Sequence, residues 1–147
     1  MQTVLITGAA GGIGMRLRQL LKGVYRELRL SDIKPPRDLA ADETFVAADL
    51  AHMTEVERAV VGVDGIVHLG GFSVEGPWET ILQANIIGCY NLFEAARRHG
   101  VGRVVFASSN HVVGFYPRQR RIGVDDPVRP DSRYGASKAF GEALAAL

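Results

Sequence analysis

One cysteine, Cys89, is the only thiol in the 147-residue chain, so no disulfide can close within it. The four histidines, His52, His68, His99 and His111, show no metal-ligand spacing. A reducing, cytoplasmic setting is the expectation. An excess of one charge is missing too. Seventeen Lys and Arg against 16 Asp and Glu leave a net charge of +1, without the concentrated basic face that a nucleic-acid partner needs. Long apolar runs are also absent: "MQTVLITGAAGG" starts one at once and breaks it with glycine, too early for a signal peptide or a membrane span. There are no repeats, low-complexity tracts or linkers. What remains, with 47% hydrophobic residues, is one soluble globular domain with enough apolar side chains for a core. One basic cluster, "PRQRR" at Pro117 to Arg121, reads as a solvated loop more readily than as an anion site.

Short β-branched runs alternate with longer helical patterns. Thr3 to Thr7, Glu27 to Asp32, Thr44 to Asp49, Gly65 to Gly70 and Arg103 to Ser109 read as five strands. Leu17, Leu20, Leu21 and Val24 share one helical face, as do Val56 and Val60. Strands separated by helices pair in parallel through right-handed crossovers, which predicts an α/β fold with a doubly wound parallel sheet. Ligands of such sheets lie beyond the carboxyl ends of the strands.

"TGAAGGIG" follows the first strand directly, with Gly8, Gly11 and Gly14 spaced three apart. Glycine there permits a tight turn and lets backbone approach a pyrophosphate resting on the amino end of the next helix. Asp32 ends the second strand about two dozen positions later, close to the distance of roughly 20 at which an acid meets the adenosine ribose hydroxyls. A carboxylate there repels a 2′-phosphate and so selects NAD over NADP. Lys34 and Arg37, just beyond, pull the other way. The alternative to ribose binding is that Asp32 is a simple turn aspartate before "KPP". Asp49 either reaches the adenine edge or caps the following helix.

"HLGG", His68 to Gly71, suggests a further close backbone approach, with His68 as a satisfied core residue. Trp78 to His99 reads as one long helix. Leu82, Asn85, Ile86, Cys89, Leu92, Phe93 and Ala96 fall on its buried face. A buried amide left unpaired costs about 1 to 3 kcal/mol, so Asn85 must be bonded, either as a structural tie or around a water that serves proton transfer. "ASSNHVVG" brings Ser108, Ser109, Asn110 and His111 to the sheet edge, where polar residues are candidates for a site.

Tyr134 precedes Lys138 by one helical turn, roughly 6 Å along the axis. A phenol titrates near 10, and an ammonium about 6 Å away favours its anion by about 2.8 kcal/mol at an effective dielectric of 20. A positively charged nicotinamide ring would add to that. Without the glycine loop the pair would mean nothing.

With "TGAAGGIG", Asp32, "HLGG", "NIIG" from Asn85, Ser109 and "YGASK" from Tyr134 in hand, the chain resembles the extended short-chain dehydrogenase/reductase superfamily over its whole length. The resemblance implies a three-layer, Rossmann-type fold over residues 1–147. It implies NAD contacts at Gly8, Ala10, Gly11, Gly12, Ile13, Gly14, Asp32, Ile33, Asp49, Leu50, Leu69, Gly70, Gly71, Asn85, Tyr134 and Lys138. It also implies that Ser109 orients the reacting hydroxyl, Tyr134 is the acid/base, Lys138 lowers its pKa, and Asn85 supports a proton relay. "GIVHLGGFSVEGPWETILQANIIGCYNLFEAAR", "VVFASSNHVVGFYPR" and "RPDSRYGASKAFGEALA" are similar to the uronate-oxidising branch of that superfamily. That likeness implies a sugar-acid substrate held by Ser73, Ser109, Asn110, His111 and Tyr134, no metal, and a homo-oligomer in the full-length enzyme. Members continue well past this last helix, so the chain is expected to stop before the C-terminal substrate-binding part and to leave apolar sheet edges open. The alternatives are a nucleotide-sugar epimerase or dehydratase with the same Tyr and Lys, and a non-catalytic dinucleotide-binding module.

Overall fold

Alternate residues of the first strand, β1 (Thr3–Thr7), point to opposite sides, and each side has its own core. The computed structural model describes residues 1–147. After β1 come α1 (Gly12–Leu21), β2 (Glu27–Asp32), β3 (Glu43–Ala47), α2 (Met53–Val60) and β4 (Gly65–His68). They are followed by α3 (Trp78–Ile81), a π-helical stretch (Leu82–Ile87), α4 (Gly88–Arg98), β5 (Val104–Phe106), a 3₁₀ turn (Asn110–Val113) and α5 (Arg133–Ala145). All five strands pair in parallel in the order β3-β2-β1-β4-β5. The order reverses at β1, so the chain leaves β1 and β4 in opposite directions and opens a crevice between them. No helix is long and apolar enough to cross a membrane.

Leu5 of β1 joins Ile66 of β4, Val56 and Val60 of α2, and Leu92, Ala95 and Ala96 of α4 on one face. Val4 and Ile6 join Leu28 and Leu30 of β2 on the other, covered by Leu17 and Leu21 of α1. Helices on both faces make the doubly wound, three-layer arrangement read from the sequence. The connection from β2 to β3 is an irregular loop, 33–42, with no crossover helix.

Three expectations are corrected. Leu20 and Val24 do not join the buried face of α1. Leu20 is 62% exposed, and the chain leaves the helix before Val24, turning through Gly23 at a φ of 73°. The third, fourth and fifth strands are shorter than read. Beyond β4 the amide of Gly70 turns to the Thr7 hydroxyl at 3.1 Å instead of continuing a ladder. The long helix is also not uniform: in its middle the Gly88 N–H reaches back five residues to the carbonyl of Gln83. Gly88 packs its backbone on Leu50, whose carbonyl accepts from Asn91 Nδ2 at 2.8 Å, so the helix is gripped just after the widened turn. π turns of this kind recur at functional sites.

Cover runs out toward the β5 edge on the α1 side. Ile6, Val67 and Val105 form one row across the strands, passing from fully buried through half-buried to 65% exposed.

Candidate active site

A cleft of about 730 Å³ lies across the carboxyl ends of β1, β2, β4 and β5. At one end its wall is backbone. Gly8 has a φ of 67°, and a Cβ on it would lie 2.8 Å from the amide nitrogen of Gly70. A Cβ on Gly14 would press on the Gly8 carbonyl, and one on Gly70 would lie 3.1 Å from Thr7 Oγ1. These three glycines pack β1, α1 and the end of β4 closer than any side chain allows. The Gly11 N–H closes the turn onto the Gly8 carbonyl at 3.1 Å. The first amides of α1, those of Gly12, Ile13 and Gly14, have no intrahelical acceptor and head the cleft, the arrangement that suits an anion.

Asp32 braces this end. Its Oδ2 accepts from the Ala10 N–H at 3.0 Å and its Oδ1 from the Ile33 N–H at 2.8 Å. The carboxylate is therefore fixed in the wall with lone pairs to spare, which is more than a turn aspartate needs. Ala10, Ile33, Asp49, Leu50, Leu69, Gly70 and Gly71 line the same cleft. Asp49 does not cap α2. Its Oδ1 accepts from the Ala51 N–H at 2.9 Å, and the N-cap position belongs to His52.

Beneath the floor, His68 is buried as expected. Its Nδ1 lies 2.7 Å from Thr7 Oγ1, and burial pushes the imidazole down to about 3, so it stays neutral. Asn85, in the π-helical stretch, lies behind the wall rather than in it. Its Nδ2 donates to the Phe72 carbonyl and to Ser137 Oγ, both at 2.9 Å, while its Oδ1 accepts from the Phe72 N–H at 2.7 Å. Both amide protons are used, so the side chain ties the β4 exit to α5 and has no donor left for a water.

At the other end the wall is side chain. Tyr134 and Lys138 of α5 both line the cleft. Lys138 is buried; its Nζ donates to the Ala107 carbonyl at 2.8 Å, lies 4.8 Å above the Phe106 ring and 5.8 Å from the centre of the Tyr134 ring. Burial lowers its pKa, the mark of a charge held where water screens it poorly. Ser132 caps α5 by accepting from the Gly135 N–H at 2.9 Å, and Glu75 Oε2 accepts from the Tyr134 N–H at 3.0 Å.

The remaining candidates divide. Ser73 lines the cleft. Ser109, Asn110 and His111 sit on the 3₁₀ turn beside Tyr134 and are not in the wall. Ser109 Oγ accepts from the His111 N–H at 3.2 Å. The His111 ring meets the Tyr134 ring edge-to-face with centres 5.7 Å apart. Its Nδ1 lies 2.8 Å from Asp131 Oδ1, a hydrogen bond that holds the Asp131 carboxyl below the usual carboxylate range.

Ser108, one of the four polar residues read at the sheet edge, lines the wall; sequence reasoning missed Phe72 and Thr80 in the wall, and Ser137, Glu75 and Asp131 behind it. Ser137 had a signal: a small polar residue three positions after Tyr134, its hydroxyl donating to the Tyr134 carbonyl at 2.7 Å. Glu75 and Asp131 reach their partners through loops and had none. The basic cluster near Pro117 is engaged locally, with Arg120 paired to Asp126 and 4.5 Å above the Tyr116 ring.

A uronate dehydrogenase from Agrobacterium fabrum is 54% identical to the chain over 147 residues, covering 100% of the chain and 56% of that protein. The crystal structure of a uronate dehydrogenase from Agrobacterium tumefaciens, a tyrosine-to-alanine variant complexed with NAD, superposes with a TM-score of 0.95 at 54% identity, covering 99% of this chain and 55% of that one. A glucuronic acid dehydrogenase from Chromohalobacter salexigens gives a TM-score of 0.96 at 56% identity, covering 99% and 55%. The chain thus spans about half the length of the relatives it matches. Residues 4–146 match the NAD dependent epimerase/dehydratase family, and with the glycine turn, the braced Asp32 and the Tyr134–Lys138 pair in a single cleft, the chain belongs to that family.

Proposed function

We propose that the chain is the dinucleotide-binding part of an NAD-dependent dehydrogenase that oxidises a hexuronate, galacturonate or glucuronate, at the anomeric carbon to an aldarolactone. The observation that carries this reading is that one cleft holds both an anion-ready backbone end and the Tyr134–Lys138 pair. The uronate and glucuronic acid dehydrogenases at 54–56% identity supply the substrate class.

The residues present fit NAD. Gly8, Gly14 and Gly70 draw β1, α1 and the end of β4 together so that backbone alone faces this end of the cleft, where the first α1 amides would hold the pyrophosphate and Asp32 would take the ribose hydroxyls. When bound, NAD accepts the hydride from the anomeric carbon. The chain's own residues manage the proton and the pose. Tyr134 Oη, as phenolate, takes the proton of the anomeric hydroxyl. The buried Lys138 ammonium, 5.8 Å from the centre of the Tyr134 ring, is the positive charge placed to favour that phenolate. Ser109 orients the reacting oxygen, and Ser73, Asn110 and His111 meet the sugar acid beside it. Asn85 is a positioning residue, keeping α5 and the Phe72–Ser73 segment in register.

The test is NADH formation from a panel of sugar acids by the longest natural form of the protein. Galacturonate or glucuronate is expected to be turned over, and Tyr134→Phe to reduce kcat at least about 100-fold with NAD affinity kept. Near-normal turnover by Tyr134→Phe overturns the base assignment. Activity on a sugar nucleotide with no net NADH, and none on free uronates, would favour an epimerase or dehydratase instead.

A further inference from the structure

Loop 33–42 leaves the cleft at Asp32, and a buried ion pair holds its far end. Arg18, inside α1, donates through Nε to Glu43 Oε1 at 2.9 Å and through an Nη to Glu43 Oε2 at 2.5 Å. The same guanidinium donates to the carbonyls of Arg37 at 3.3 Å and Asp38 at 3.0 Å. Glu43 Oε2 also accepts from the Ala40 N–H at 2.9 Å. The planar Arg18 fork therefore grips two points of the loop, and its partner Glu43 grips a third. Hydrogen bonding to Arg18 holds the Glu43 carboxyl below its ordinary range and raises the guanidinium above its own, so both stay charged.

Two further features show that this grip imposes a conformation. Asp38 sits at a φ of 53°, the left-handed region that a residue with a Cβ occupies only when its surroundings enforce it. The loop's two cations are also sorted. Lys34 lines the main cleft, whereas Arg37 lines a separate hollow of about 280 Å³ beside Arg18. Pro35 and Pro36 stiffen the chain between them. With Arg37 held back, Lys34 is the one cation of this loop that shares the main cleft with the Asp32 carboxylate.

We propose that Arg18 and Glu43 are specificity-determining positioning residues, which exclude NADP by holding Arg37 out of the main cleft. The inference rests on the reading of the cleft as a dinucleotide site. Arg37 is the group in this loop able to form a two-pronged, charge-assisted pair with a 2′-phosphate, and the clamp keeps it from doing so. A buried ion pair adds little net stability over an apolar replacement, so its retention fits a role in selecting one loop conformation.

The experiment is calorimetric titration of the 147-residue chain with NAD and with NADP. Wild type is expected to prefer NAD. Arg18→Met is expected to lower the ratio of the NADP to the NAD dissociation constant about tenfold, mostly by tightening NADP, and adding Arg37→Ala is expected to restore it. Glu43→Gln gives the same result by the other partner. A clamp with a purely structural role would weaken both ligands alike and leave the ratio fixed. An unchanged ratio, or a gain that survives Arg37→Ala, overturns the proposal. Should both clamp variants fail to fold, Arg37→Ala in the wild-type background still decides: a ratio unchanged within about twofold is expected, and a shifted ratio shows that Arg37 already acts in the cleft. A wild-type chain that binds neither dinucleotide overturns the underlying reading, whereas NAD binding with an unmoved ratio in the clamp variants overturns this inference alone.

Discussion

The two ends of the cleft are built by opposite means. At the glycine end the wall is main chain, shaped by side chains that are not there. Gly8, Gly14 and Gly70 bring three elements into contact, and the one carboxylate present, Asp32, is spent partly on holding the Ala10 amide in place. At the α5 end the wall is side chain. The Lys138 ammonium is suspended between the Ala107 carbonyl and two aromatic rings, and Tyr134 is backed by His111. Recognition of a phosphate needs close, rigid donors, which backbone amides supply. Moving a proton needs a titratable group beside a charge, which only side chains supply. The difference teaches that the ends should fail separately, and each prediction below tries that separation.

Gly14→Ala should do the most damage, and only at its own end. The added methyl meets the Gly8 carbonyl, so either the turn or the start of α1 must move. NAD affinity is expected to fall at least about 100-fold by calorimetry, while circular dichroism still shows a folded sheet. Affinity within a few-fold of wild type would mean that the close backbone approach is not what binds the pyrophosphate.

His68 lies beneath the floor between the ends, linked through Thr7 Oγ1 to the Gly70 amide. Its folded pKa is pushed down to about 3, chiefly by burial and secondly by the Lys138 charge, against about 6.5 in an unfolded chain. Between those values the unfolded state binds the extra proton. The stability this residue contributes is therefore complete above about pH 6.5 and is lost as the pH falls toward 3, on the order of 5 kcal/mol in all. Urea unfolding at neutral pH and near pH 4.5 should show His68→Gln less stable than wild type at neutrality but less sensitive to acid. Equal acid sensitivity in the two proteins would show that His68 is not the group being protonated.

What was legible in the sequence follows the same division. The glycine turn, Asp32 and the Tyr134–Lys138 spacing are local: each can be read within one strand-to-helix junction or one helical turn. The parallel, doubly wound sheet followed from alternation and handedness, whereas its strand order was seen only in the structure. The π-helical stretch was not legible, and the contacts beside it are long-range: Leu50 packs on Gly88 and accepts from Asn91, both far along the chain. The same holds for Glu75 on the Tyr134 amide and Asp131 on His111, which are loop-borne partners with no periodicity to announce them. Leu20 and Val24 erred the other way: the spacing was helical, but Leu20 faces solvent within α1 and the helix ends before Val24.

Asp131 offers the mildest test and the finest one. It plays for His111 the part that Asp32 plays for the Ala10 amide, an acceptor that fixes a neighbour. The hydrogen bond from His111 holds its carboxyl below the ordinary range, so whatever it contributes is present above that range and is lost as acid protonates it. Both side chains are substantially exposed, and little global stability is at stake. In the longest natural form of the protein, Asp131→Asn is expected to raise KM for the sugar acid several-fold through a loosened His111 ring, with kcat less affected and the NAD dissociation constant unchanged within about twofold. If NAD affinity fell along with it, the two ends would be coupled through the floor, and independent construction would give way to a single cooperative site.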